Sequence, residues 1–251
     1  MALPGAFNLS SDIVSVRCTG SDTIFNIHEN LLVQLPAPEP FLAAKKIGTV
    51  LDIDLPSQGF KHFAHWLYDG KLDDHGKHYD TGMMELISAH NVGRRLGCVG
   101  FRDVVLDGII AVLRTMEDEG ETSLEYFMDE WLQEFPSGAF GRRLLIDWMI
   151  YNTGCRISIP WEDHHPFRFL IEDGNADFVK DFARQALIAQ GKEDFLMVAE
   201  DVELSMLLVL GFLDKQFHTG YPHMTKGAWA ESPCKYHYHR ELGRPCYKAE
   251  Q

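Results

Sequence analysis

Residues 11–32 read SDIVSVRCTGSDTIFNIHENLL, and this stretch decides the fold class. Val14, Val16 and Cys18 alternate with Ser15 and Arg17, and Phe25 and Ile27 flank Asn26. A period of two puts the apolar set on one sheet face and the polar set towards water. Thr19-Gly20-Ser21-Asp22 between the two runs is turn chemistry, so a β-hairpin is expected. A third alternation, Leu51, Ile53 and Leu55 against Asp52 and Asp54, predicts another strand of the same small sheet.

Beyond residue 56 the period changes to that of helices. Phe60, Phe63, Ala64 and Leu67 fall on one face, with Ser57 as the expected cap and Gly70 as the expected stop. Met83, Leu86, Ile87 and His90 form a second stripe, and Phe101, Val104, Val105, Gly108 and Val112 a third, with Gly97 and Gly100 marking the break between them. The acidic, polar run Glu117–Thr122 is read as a boundary. The second half reads as helical. Phe140, Leu144, Trp148 and Tyr151 share one face, as do Val179, Phe182, Ala183 and Ala186, and Val198, Val202, Val209 and Leu213 form a longer pattern. The expected organisation is therefore α+β over residues 10–116, an all-helical region over 122–225 and a Cys/His-containing tail over 226–251.

Six segments resemble the BTB/POZ family in the right order. SDIVSVRC is similar to its opening strand, TIFNIHENLL to its second strand and first helix, and VLDIDLP to its third strand. FKHFAHWLYDGKL resembles its Phe-rich helix with a Tyr-x-Gly turn at Tyr68–Gly70, and LISAHNVGRRLGC and FRDVVLDGIIAVL resemble the helices that follow. The resemblance covers about residues 10–115 and is closest in flavour to single-BTB proteins of filamentous fungi. It implies a BTB/POZ fold, a small mixed sheet flanked by helices, that self-associates as a homodimer or docks protein partners and has no active site. By the same resemblance Asp12 and His28 are interaction candidates. Many BTB dimers carry a basic residue after that His, but here Glu29 follows, and two nearby acids repel. Phe41-Leu42-Ala43 lacks the acidic residue that cullin-binding members usually carry, which lowers the expectation of a cullin partner and a ubiquitin-ligase adaptor role.

Bulk properties narrow the classes further. With 23 basic and 37 acidic residues among 251, the net charge is −14, which repels phosphate backbones and disfavours nucleic-acid binding. The apolar run Met206–Leu210 is far short of the roughly 20 residues of a membrane span, and MALPGAFNLSSD lacks the features of a secretory signal. The five cysteines are odd in number and unevenly spaced, which fits a reducing compartment, cytoplasm or nucleus, better than a disulfide framework. There is no Gly-rich phosphate loop, nucleophile elbow, HExxH or calcium loop, so no enzyme is expected.

The tail PCKYHYHRELGRPCY brings two thiols and two imidazoles together as Cys234, His237, His239 and Cys246, a complete tetrahedral zinc set. An extended His-x-His would point both rings the same way, and Gly243 and Pro245 would let the chain fold back. Two readings stay open. One is a structural zinc site that orders a segment poor in aliphatics; the other is a polar tail without metal, since the intervals of two, one and six residues match no common zinc-finger rule. A catalytic zinc would need an open position, and four protein ligands argue against it. His164-His165 reads as a solvated loop, His62 and His65 as a surface pair, and Cys98 as a small packed hydrophobe. Trp131, Trp148, Trp161 and Trp229 read as core or interface anchors, and Glu125, Asp129 and Glu130 as an acidic face.

Overall fold

The structure is a computed structural model that describes residues 11–36, 41, 43, 49–72, 79–119, 127–155, 176–189, 233–240, 242–243 and 246. It is a mixed α and β protein, with a small three-stranded sheet and, among the described residues, seven α-helices. Two compact units form: residues Met1–Val112 with His237–Gln251, and residues Leu113–Tyr236.

In the first unit, β1 (Ile13–Cys18) and β2 (Ile24–His28) form the expected antiparallel hairpin, with Val14 opposite Ile27 and Val16 opposite Phe25. Gly20 in the turn has φ 78°, a left-handed conformation that glycine adopts without the Cβ penalty. β3 (Leu51–Ile53) pairs parallel to β1, giving the order β2-β1-β3. Val14, Val16, Cys18 and Ile27 are buried, as the alternation required. A short helix, α1 (Glu29–Leu32), leaves β2 directly.

Three helices complete this unit: α2 (Ser57–Asp69), α3 (Tyr79–Arg95) and α4 (Val99–Glu119). Gly70 ends α2 in the left-handed conformation, its N–H bonded to the Trp66 carbonyl at 2.9 Å. Ser57 does not cap α2: Pro56 holds that position without a side-chain bond, and the Ser57 hydroxyl reaches Ser21 Oγ at 3.2 Å instead. Phe25, Phe60, Phe63, Trp66 and Phe101 pack ring to ring at centroid separations from 5.0 to 5.9 Å. Phe60, Phe63 and Phe101 are fully buried, and burying each such side chain contributes about 1.5–3 kcal/mol.

The buried stripe of α4 runs through Phe101, Val105, Ile109, Leu113 and Met116, while Val104, Gly108 and Val112 lie at its flank, half-buried. Gly97 does break the chain between α3 and α4, with φ 64°, but Gly100 lies inside α4. The helix continues through Glu117–Glu119. His62 is not a surface residue: it is 3% exposed, and its Nε2 lies 3.2 Å from Glu85 on α3. His65 sits at the surface and pairs with Asp69 one turn on.

Gly59 marks the closest approach of α2 to α3. A Cβ there would overlap the Ser88 carbonyl and come within 2.8 Å of the Ala89 nitrogen. Gly59→Ala is therefore expected to destabilise the protein, because the opposing atoms are backbone and cannot rotate away. Overpacking of about 1–3 kcal/mol outweighs the gain in helix propensity of at most about 1 kcal/mol. A lower urea midpoint checks this; an unchanged midpoint would mean the two helices can separate freely.

The second unit contains α5 (Met128–Glu134), α6 (Phe140–Cys155) and α7 (Ala176–Ala189). Trp131 is fully buried between Phe127 and Phe135, and its indole N–H donates to the Gly141 carbonyl at 3.2 Å. Asp129 and Glu130 are exposed, as expected of an acidic face. Helix α6 is buried on more than the predicted face: Leu144 and Trp148 are covered, but so are Leu145, Ile146, Met149 and Ile150. Val179, Phe182, Ala183 and Ala186 on α7 form the predicted buried stripe. The Tyr151 side chain, the pattern from Val198 to Leu213, Glu125, Trp161, Trp229 and the loop bearing His164 and His165 lie outside the described residues.

Candidate metal centre

Cys234, His237, His239 and Cys246 converge. One ligand atom from each lies within 4.8 Å of all the others. Tetrahedral zinc bound by two thiolates and two imidazoles sets ligand separations of about 3.3–3.8 Å, so small shifts close the set around a metal. The group is a Cys2His2-like cluster able to bind one.

The local backbone brings this about, though not as an extended strand. Residues Pro233–Tyr236 and Tyr238–Arg240 form 3-10 turns, with His237 between them. A 3-10 helix repeats every three residues, so Cys234 and His237 come to the same side. The same step recurs downstream: the Arg240 N–H meets the His237 carbonyl at 3.4 Å, and the Gly243 N–H meets the Arg240 carbonyl at 3.2 Å. Gly243 has φ 60°, which turns the chain back towards Cys246, as the sequence predicted for that glycine. The imidazole centroids of His237 and His239 are 5.1 Å apart at 64°, an edge-on arrangement.

Around the cluster the segment is packed, not loose. His237 is fully buried, His239 is 7% exposed, and the two cysteines are half-buried. In the first unit, Asp103 of α4 accepts the Tyr238 N–H at 2.6 Å and the His239 N–H at 3.2 Å, and its Oδ2 lies 2.8 Å from His239 Nδ1. Asp107, one turn along α4, has Oδ1 3.2 Å from His237 Nε2. The Arg102 guanidinium sits 3.4 Å over the Tyr238 ring, which also packs on His90. In the second unit, Asp147 of α6 receives Lys235 Nζ at 2.6 Å and the Tyr236 hydroxyl at 2.7 Å. Burial and the Asp147 carboxylate push the Tyr236 phenol up, so it remains a hydrogen-bond donor.

Asp103 and Asp107 escaped the sequence reading. Their signal was an i,i+4 pair of acids in FRDVVLDGII, which repels on a solvated helix face and so calls for donors from elsewhere. The two interaction candidates lie apart from the metal cluster in sequence. His28 Nδ1 is 2.9 Å from the Tyr68 hydroxyl, tying the end of β2 to the last turn of α2. Asp12 is exposed, and its carbonyl accepts the Glu29 N–H at 2.8 Å, so the acid that follows His28 begins α1 beside Asp12.

Comparison of the chain with protein-family models, curated proteins and solved structures finds no match. Among the described residues, no helix is long and apolar enough to cross a membrane.

Proposed function

We propose that this protein is a non-catalytic interaction module of BTB/POZ type, acting by self-association or partner docking, whose tail is closed by a structural zinc. The observation that carries the reading is the element order among the described residues of 13–119: strand, strand, helix, strand, then three helices, with β3 laid parallel beside β1. That is the order in which the six BTB-like segments occur. Support for zinc comes from the donor set: two thiolates and two imidazoles suit this borderline-soft ion, and four protein ligands make a closed, structural site. Cys18 and Cys98 are buried thiols outside any disulfide, which suits a reducing compartment such as cytoplasm or nucleus.

Size exclusion with light scattering on the full chain, alone and mixed with the N-terminal domain of the BTB-binding cullin, tests the interaction reading. Concentration-dependent dimer mass supports self-association. Co-migration with the cullin makes the protein a ubiquitin-ligase adaptor. A strict monomer at high concentration that ignores the cullin overturns both forms.

A further inference from the structure

Helix α4 contributes a carboxylate that reaches the cluster from outside the tail. Asp103 is 1% exposed. A buried carboxylate is costly unless its oxygens are supplied with donors. Among the described residues, the three donors to Asp103 come from Tyr238 and His239: two backbone N–H groups and one ring nitrogen. An ionised carboxylate only accepts, so His239 Nδ1 must carry the proton. The lone pair of His239 is then on Nε2, the atom that can face a metal.

Asp107 stands four residues further along the same helix face, with Oδ1 3.2 Å from His237 Nε2 but off hydrogen-bond alignment. Between the two imidazoles, Tyr238 is held by Arg102 and His90. The segment His237-Tyr238-His239 is thus gripped by side chains of α3 and α4 at each of its residues.

We propose that Asp103 is the outer-shell carboxylate of the zinc centre, fixing His239 to bind through Nε2, with Asp107 playing a weaker part at His237. Zinc binding and the docking of residues 237–239 on α4 are then one coupled event. This inference rests on the zinc reading above and adds to it a positioning residue that lies more than a hundred positions earlier in the chain. Outer-shell partners of metal-bound histidines fix tautomer and ring orientation, and losing one costs about 10–100-fold in metal affinity.

The test uses the full chain without a His tag. Zinc affinity is read by competition with a chromophoric chelator for wild type, Asp103→Asn, Asp103→Glu and Asp107→Asn. The zinc-loaded wild type is also examined by NMR of the imidazole nitrogens. Asp103→Asn is expected to weaken zinc about 10–100-fold with one equivalent still bound, Asp103→Glu to recover part of the loss, and Asp107→Asn to have a smaller effect. The His239 ring is expected to show a protonated Nδ1 and a metal-shifted Nε2. Unchanged affinity in Asp103→Asn, or metal on His239 Nδ1, overturns the outer-shell role while leaving zinc in place. A wild type that takes up less than about a tenth of an equivalent when zinc is supplied overturns the zinc reading itself, and this inference with it. The tautomer measurement needs no variant, so it decides the matter even if Asp103→Asn does not fold.

Discussion

Cys246→Ala is expected to weaken zinc binding by more than the roughly 100-fold that losing an outer-shell partner costs. Four-ligand structural zinc sites bind with apparent free energies of about 10–16 kcal/mol at neutral pH. That corresponds to dissociation constants from about tens of nanomolar to picomolar. Cys246 is the distant member of the set, reached only after the chain turns at Gly243, so its removal leaves three ligands packed close together in sequence. The wild type purified without chelator is expected to carry one zinc per chain, and the variant to lose it to a chelator that the wild type resists.

Thiol alkylation gives the same answer by another route. Burial pushes both the Cys18 and the Cys98 thiols up to about 11. At pH 7.5 only about one such thiol in several thousand is thiolate, so both resist alkylation with or without metal. Cys234 and Cys246 are half-buried and are expected to react readily once the metal is stripped, and slowly while it is bound. Equal labelling of Cys234 and Cys246 with and without zinc would show that no metal holds them.

Asp181→Ala is expected to cost about 3–5 kcal/mol, the usual result of leaving a buried charge without its partner. The guanidinium of Arg142 on α6 lies 3.4 Å from Asp181 on α7, with side chains 5% and 15% exposed. Burial pulls the Arg142 pKa down, and the Asp181 charge opposes that shift. Asp181 also accepts the Ser137 hydroxyl at 3.0 Å, which ties the turn before α6 to α7. Replacing both members by apolar residues of similar volume should recover most of the loss, since the cost comes from the orphaned charge more than from a missing attraction. Urea unfolding followed by tryptophan fluorescence reads both effects; a single variant as stable as wild type would mean water reaches Arg142 freely.

Gly59, Asp181 and Cys246 sample three kinds of cohesion in one chain. At Gly59 it is backbone contact between helices, at Asp181 a buried ion pair, and at Cys246 a set of donors whose close packing a metal would repay. Only the last depends on a ligand.

The sequence by itself determined the alternating strands, the hairpin turn at Gly20, the stop of α2 at Gly70 and the buried stripe of α7, because each is set by neighbours a few residues apart. It also identified the four donors of the tail, since thiols and imidazoles so close together need little further context. Only the tertiary structure decided which way His62 faces: a residue beside a helix stripe is buried or not according to what α3 presents, here Glu85. The same holds for α6, covered on faces beyond the stripe that its own periodicity predicted. The tail shows the division most plainly. Its four donors were legible, but its 3-10 path and its pairing with Asp103 and Asp107 were not, because the i,i+4 acids of α4 do not by themselves say which residues about 130 positions away will meet them.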